Sequence, residues 1–344
     1  MRPDMLRQFQ ISGLGAILLL VSSMLVQISS VKAEDVQLEY NGIELKGFME
    51  VAPGQSIIND GIVIIIHQTL SHAKSPLISD LQQGLKQQGI NSLAINLSLG
   101  LDLREGDFQC AIEHNHRHKD GAEEIGAWVE WLAVQGANKI SFFGLGRGGN
   151  QAALYVYEQI KLHKEEEEAK KKELARKKKR RRRKKRESPK IYLGLISKLI
   201  MVMPLDLSPE QAYKEFSVKF NDDLGKYLVN AQKFVEKQRE QELLEGVPFL
   251  SCNPARVTVA AFIDYYLPKP EHSLFSYISD FSFPVLAVVG SEDPQYRKYE
   301  GIVSSQLEKG IGQLGVAKLS GINRNLEQIP SEILIQQVSG FLKR

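Results

Sequence analysis

The sequence predicts an α/β fold with a mostly parallel sheet flanked by helices. Residues 61–66 form a run of nearly continuous β-branched side chains, which is typical of a strand buried within a parallel sheet. Apolar runs recur at 199–203 and 283–289, and segments with helical periodicity, such as 77–88 and 121–134, lie between the runs. Strands that alternate with helices favour a parallel sheet with helices on both faces.

The remaining elements follow in order along the chain. Two alternating runs, 36–40 and 43–49, flank Asn41-Gly42, which is a strong signal for a β-hairpin. Residues 207–283 are rich in helical patterns, and we predict that this segment forms a helical lid. Further strands are predicted at 91–97, 139–143 and 316–319, and further helices from Asn150, over 303–309 and from Pro330.

Residues 1–33 have the pattern of a secretory signal peptide. Arg2 and Arg7 form a basic start, residues 11–26 are mostly apolar, and Val31 and Ala33 are the small residues of a cleavage site. The pattern predicts a periplasmic or secreted protein that begins after Ala33, with residues 34–344 as one domain. An uncleaved N-terminal membrane anchor is the alternative, although the apolar run is short for a span of about 20 residues.

A charged insertion at residues 161–190 carries most of the positive charge. It holds 17 Lys and Arg against 6 Asp and Glu, while the whole chain has a net charge of only +3. Every residue from Arg176 to Arg186 is basic, so this block repels itself and is expected to be a solvated arm. Binding to an anionic lipid surface is one alternative. Nucleic acid is disfavoured because no aromatic residue interrupts the block.

The most informative motif is Gly-Leu-Gly-Arg-Gly-Gly at residues 144–149. It joins the predicted strand at 139–143 to the helix that includes Asn150, which is the strand–turn–helix context of a nucleophile elbow, Gly-x-Ser-x-Gly. The small residues of that motif are retained, but Gly146 stands where the serine would be. A glycine has no side chain that can attack a substrate.

With this motif the chain resembles the α/β-hydrolase family across nearly all of residues 34–344. The resemblance implies a triad in the chain order nucleophile, acid, histidine. The acid position falls on Asp293, in Gly-Ser-Glu-Asp after the strand at 283–289. The histidine position falls on Arg324, in Gly-Ile-Asn-Arg after the last strand. Only the acid position keeps its usual residue type.

The two replacements remove the chemistry of a serine hydrolase. Serine attack needs a neutral base, and the guanidinium of Arg324 stays protonated. Loss of either group costs about a millionfold in rate in analogous serine proteases. The sequence therefore predicts an inactive pseudo-hydrolase that serves as a binding or interaction module for a small acyl-type ligand or a protein partner. An Asp293–Arg324 ion pair would occupy the former acid–base site.

The resemblance also places an oxyanion pocket beside His67 and Gln68. Gln68 departs from the glycine that the family often has there, and the backbone N–H of Arg147 would be the second donor. Ser71 lies in the same loop and is the alternative nucleophile of an active ester or acyl hydrolase. A loop serine that caps a helix or bonds to the backbone is the simpler interpretation.

Three histidines, His114, His116 and His118, alternate in one loop. In an extended segment they share one face, which suits Zn²⁺ or Cu²⁺, and a hydrolase with a metal at this loop is a further alternative. No second cluster of ligands accompanies them, so we predict no cofactor and a polar loop whose imidazoles bond to backbone and solvent.

The chain has two cysteines, Cys110 and Cys252. In an oxidising compartment they are expected to pair, and the bridge would tie the histidine loop to the predicted lid. Two unpaired thiols are the alternative.

Overall fold

An eight-stranded sheet forms the centre of the computed structural model, which describes residues 34–176, 190–267, 273–293, 295–308, 313–323 and 326–344. The strand order is β1-β2-β4-β3-β5-β6-β9-β10. The strands are β1 (Glu34–Tyr40), β2 (Ile43–Glu50), β3 (Ile62–Ile66), β4 (Ser92–Asn96), β5 (Ile140–Leu145), β6 (Ile196–Val202), β7 (Leu243–Phe249), β8 (Cys252–Thr258), β9 (Val285–Gly290) and β10 (Leu314–Leu319).

The pairing within this sheet confirms the predicted fold class. The first two strands form the antiparallel hairpin predicted around Asn41-Gly42, and β2 pairs antiparallel with β4. All other neighbours in the sheet, from β4 to β10, run parallel. The buried run predicted at 61–66 becomes β3, which lies between β4 and β5 and is buried along its whole length.

Helices cover both faces of the sheet. The side chains of β3 alternate between two apolar clusters: Ile64 packs with α2 and α3, whereas Ile65 packs with α1 and α9. The helices are α1 (Pro76–Gln87), α2 (His118–Val134), α3 (Arg147–Arg176), α4 (Pro209–Phe220), α5 (Leu224–Val235), α6 (Val259–Tyr266), α7 (Leu274–Tyr277), α8 (Tyr296–Glu308) and α9 (Ser331–Lys343).

The segment predicted as a helical lid contains a hairpin as well as helices. Strands β7 and β8 form a separate two-stranded antiparallel sheet between α5 and α6. The prediction of a helical lid over 207–283 therefore did not include the two strands at 243–258. The two strands lack a clear sequence pattern, because they contain Gly246, Pro248 and Pro254. Glycine and proline are both unfavourable within strands.

Helix α3 runs from the elbow into the charged insertion. Its exposed face carries two i,i+4 ion pairs, Glu166–Lys170 at 3.2 Å and Glu168–Lys172 at 3.4 Å. The rest of the basic block, 177–189, and the predicted signal peptide, 1–33, lie outside the described residues. Among the helices that are described, none is both long and apolar enough to span a bilayer.

Candidate functional site

The elbow lies at the carboxyl end of the central strand β5. Gly146 follows the strand, has a φ of 51°, and is succeeded directly by the first residue of α3, Arg147. The Gly146 N–H donates to the carbonyl of Val202 at 2.8 Å, which fixes the turn against the end of β6. The strand–turn–helix geometry that the motif predicts is therefore present.

Two glycines of the motif are required by close packing. A Cβ at Gly144 would lie 2.3 Å from the backbone nitrogen of Gly149, and a Cβ at Gly148 would lie 2.4 Å from the carbonyl oxygen of His67. Both contacts are with backbone atoms, which cannot turn aside as a flexible side chain could. These glycines allow α3 to start close against β5 and the loop after β3.

Gly146 is different, because space is available for a side chain. A Cβ there would lie 3.5 Å from the Gln68 Cβ and 3.6 Å from the Leu326 Cδ1, which are ordinary van der Waals distances. Only the positive φ favours glycine at this position. The apex of the elbow therefore has space for a side chain, but in this protein the residue at the apex is a glycine.

The predicted acid residue, Asp293, is buried just beyond the carboxyl end of β9. Its backbone N–H donates to the Gly290 carbonyl at 3.1 Å, and its Oδ1 accepts from the Gln295 N–H at 2.8 Å. Arg324, three residues after Gly321, lies outside the described residues. The Asp293–Arg324 ion pair therefore stays a prediction.

His67 is a structural histidine at the end of β3. Its Nδ1–H donates to the Gln68 carbonyl at 2.8 Å, while its Nε2 accepts from the Leu97 N–H at 3.1 Å and from the Arg104 Nη2 at 2.9 Å. Burial, reinforced by the charge of Arg104, lowers the pKa of His67 to about 3. Because both ring nitrogens are occupied, His67 holds the loop that carries Gln68 and has no nitrogen left to act as a base.

A buried polar network that the sequence did not predict continues from His67. Arg104 also donates from Nε to the Leu97 carbonyl at 2.8 Å. Nearby, the Glu124 carboxylate on α2 accepts from the backbone N–H of Ser98 at 2.7 Å and from its hydroxyl. Burial raises the pKa of Glu124 to about 7. The sequence does contain one signal for this network, because Glu124 is a charged residue on the apolar stripe of α2 that contains Trp128.

The histidine loop is buried, contrary to the prediction of a polar, solvated loop. All three imidazoles are at most 2% exposed. His114 Nδ1 lies 3.4 Å from His116 Nε2, and His116 Nδ1 lies 2.9 Å from the Tyr265 hydroxyl. His118 begins α2, where its backbone N–H donates to Asp264 at 2.6 Å. Across the described residues, no three His, Cys, Asp or Glu side chains are grouped so as to hold a metal ion.

Backbone contacts join this loop to the hairpin of 243–258. The His114 N–H donates to the Arg256 carbonyl at 2.8 Å, and its carbonyl accepts from the Thr258 N–H at 2.9 Å. A disulfide bond joins Cys110 to Cys252 at the other end of β8. The hairpin is therefore fastened to the body of the fold at two points.

Two cavities flank the elbow beneath this hairpin. One, of about 370 Å³, is lined by Arg147 and by apolar side chains of α4 and α6. The other, of about 660 Å³, is lined by Leu145, the 68–72 loop and Leu326. Gln68, Thr69 and Ser251 belong to the walls of both cavities. Together they form a crevice at the carboxyl ends of the strands, where α/β folds bind ligands.

Ser71 lines the larger cavity, but its surroundings do not resemble an activated nucleophile. Its backbone N–H donates to the Gln68 carbonyl at 3.1 Å. The adjacent imidazole of His72 lies 3.9 Å from Asp107. Among the described residues, no imidazole is hydrogen-bonded to the Ser71 hydroxyl.

The sheet order and the elbow define the α/β-hydrolase fold, and solved structures agree. Est1E of Butyrivibrio proteoclasticus matches with a TM-score of 0.55 and 15% identity, covering 90% of this chain and 97% of its own. The α/β hydrolase GrgF of Penicillium sp. sh18 matches with a TM-score of 0.57 and 13% identity, covering 91% and 99%. A monoacylglycerol lipase of Paleococcus ferrophilus matches with 0.52 and 14%, covering 87% and 98%.

These likenesses establish the fold. No protein-family model and no curated protein sequence matches the chain. The chain has the α/β-hydrolase fold, with glycine at the apex of its elbow.

Proposed function

We propose that this protein is a pseudo-hydrolase, which binds a small acyl-type ligand in the crevice above the elbow and does not cleave it. The observation that carries the proposal is Gly146. It has the positive φ of an elbow apex and space for a side chain, but it offers no nucleophilic atom. The imidazole of His67, which directly precedes the oxyanion loop, is fully engaged and cannot replace the missing base.

The oxyanion donors are the part of the machinery that survives loss of the triad. The Gly149 N–H donates to the Gly146 carbonyl at 3.1 Å, but the N–H groups of Arg147 and Gly148, at the start of α3, have no acceptor within the helix. They lie beside the elbow and favour a carbonyl or an anion, because the helix dipole adds to their charge. A scaffold that keeps these donors and a crevice, but lacks a nucleophile, is suited to holding a ligand.

Secretion to the periplasm or the exterior belongs to the same proposal. The pattern of residues 1–33 supports it, and the Cys110–Cys252 disulfide is of a kind that persists in oxidising compartments.

We expect the purified protein to hydrolyse p-nitrophenyl acetate and butyrate no faster than buffer, because neither Gly146 nor Arg324 can perform its step. Gly146→Ser alone should also stay at background, since a serine without a base is not activated. Gly146→Ser with Arg324→His should gain turnover over both.

Absorbance at 405 nm follows the reaction, and circular dichroism confirms that each variant is folded. Hydrolysis by the unmodified protein, removed by Ser71→Ala, would contradict the proposal and favour the Ser71 hydrolase. A double variant that stays at background would contradict the assignment of positions 146 and 324 to nucleophile and base.

A further inference from the structure

The guanidinium of Arg147 is placed as a ligand-binding group. It lies over the ring of Tyr265, 4.7 Å from the ring centre, at the wall of the 370 Å³ cavity. Its Nε is shut off from solvent and has no hydrogen-bond partner within the described part of the chain. A buried donor without an acceptor costs about 1–3 kcal/mol, so this arrangement favours a ligand that brings an acceptor, which the described residues do not supply.

Tyr265 is itself fixed beneath Arg147. Its hydroxyl bonds to His116 Nδ1, and its ring packs against Phe249 with ring centres 5.3 Å apart. The aromatic platform under the guanidinium is therefore rigid, which reduces the entropy lost when a ligand is bound. The buried histidine loop thus has a structural use as the support of this wall.

The rest of the cavity wall is divided almost evenly between polar and apolar surface. Phe216 and Phe220 of α4 and Tyr266 of α6 contribute aromatic surface, and Leu205 and Leu207 contribute aliphatic surface. A volume of about 370 Å³ lies in the range of small-molecule sites, which are generally apolar with a few polar groups that orient the ligand. The ligand therefore has an apolar body as well as a group that meets Arg147.

The charges of the lining allow one negative charge on the ligand. Asp206 forms an ion pair with Lys298 from α8 and accepts from the Ser208 N–H, so its charge is balanced. The other charged side chains are Arg147, Lys219 and Glu215, which leave one positive charge in excess. A monoanion restores neutrality, whereas a doubly charged phosphate would overshoot it.

We propose that the Arg147 cavity binds a carboxylic acid with an apolar body, its carboxylate on the guanidinium and its chain or ring among the side chains of α4 and α6. A guanidinium suits a carboxylate because its planar donors match the two oxygens. This inference rests on the proposed function, since it assigns a ligand class to the same crevice.

Isothermal titration of the full chain with octanoate and 4-phenylbutanoate tests the inference. Each acid is compared with its neutral counterpart, octan-1-ol or 4-phenylbutan-1-ol, and with inorganic phosphate. We expect both acids to bind at least tenfold more tightly than the alcohols and than phosphate. Equal binding of acids and alcohols, or phosphate binding as tight as octanoate, would overturn the inference.

Variants distinguish binding in the cavity from nonspecific electrostatic attraction of anions. Arg147→Gln should weaken octanoate binding at least tenfold, and Arg147→Lys should weaken it less, because the charge is kept and the planar fork is lost. Lys161→Gln, at an exposed position of the same helix, makes the same change of net charge and should leave binding unchanged. An Arg147→Gln protein that binds octanoate normally would contradict the assignment.

Hydrolysis of methyl octanoate in the same samples keeps the two proposals distinct. Turnover would refute the pseudo-hydrolase while leaving acid binding in place. Failure of both acids to bind, without turnover, would refute the carboxylate site alone.

Discussion

Gly148→Ala should unfold the protein, or lower its free energy of unfolding by about 3 kcal/mol or more. The new Cβ would lie 2.4 Å from the His67 carbonyl oxygen and 2.8 Å from that of Ile66. Relief requires the start of α3 to move away from β3, which would disturb the packing at the centre of the sheet.

Gly146→Ala is the matched control, two residues earlier in the same turn. Its Cβ would meet Gln68 and Leu326 at normal distances, so only the positive φ is unfavourable. That conformation costs an alanine about 1 kcal/mol. Urea unfolding followed by circular dichroism measures both variants.

The comparison bears directly on why a glycine stands at position 146. If Gly146→Ala lowers the free energy of unfolding as much as Gly148→Ala does, the fold requires glycine at position 146. That result would contradict the argument that position 146 could carry a nucleophile side chain. A small loss would show that the scaffold tolerates a side chain at the apex.

We expect the free energy of unfolding to fall already between pH 7 and pH 5, which is above the pH at which carboxylates usually take up protons. His67, His114 and His116 are neutral in the fold, with pKa values lowered by burial to about 3, about 4 and about 3. In the unfolded chain each takes up a proton near pH 6.5. Their contribution to stability is therefore present above pH 6.5 and is lost progressively toward pH 4. The loss is about 2 kcal/mol for each histidine at pH 5.

Glu124 acts in the opposite direction. Its pKa is raised to about 7 in the fold, so the folded carboxyl keeps a proton that the unfolded chain releases above about 4.5. Between pH 7 and pH 5 this difference adds about 2 kcal/mol to the stability as the pH falls. The three histidines outweigh it, and the expected net loss of stability from pH 7 to pH 5 is about 4 kcal/mol.

Urea unfolding at pH 7 and pH 5 measures this loss, and His116→Gln tests its origin. Glutamine keeps a polar group beside Tyr265 but does not titrate, so the difference between the two pH values should shrink by about 2 kcal/mol. His163→Gln, on the exposed face of α3, should leave the difference unchanged. A free energy of unfolding that is the same at both pH values would contradict the assignment of neutral, buried histidines.

The central sheet was predictable because each strand carries its own signal. The β-branched run of β3 and the Asn41-Gly42 turn specify local structure without reference to the rest of the chain. The hairpin at 243–258 was missed because its pairing overrides two prolines and a glycine. The start of α2 also differs from the prediction. The helix begins at His118, three residues before the predicted start, and the Asp120 carboxylate accepts from the Arg117 N–H at 2.7 Å.

The site was predictable only where residues follow a motif in the chain. Gly146 and Asp293 each lie just beyond the carboxyl end of a strand of the parallel sheet, so their places in the fold could be predicted from the order of the chain. The network of His67, Arg104 and Glu124 joins residues up to 57 positions apart. A local sequence pattern does not predict which of such distant residues are in contact. The position of Arg147 above Tyr265 likewise depends on how α6 packs on the elbow.

Labelling of the purified protein with a fluorophosphonate, followed by intact mass spectrometry, tests the central claim most directly. An active serine esterase treated in parallel shows that the reagent works, and circular dichroism shows that the sample is folded. We predict no adduct, because the elbow has no nucleophile and none of the described imidazoles is hydrogen-bonded to the Ser71 hydroxyl. A stoichiometric adduct on Ser71, or on any other serine, would contradict the pseudo-hydrolase.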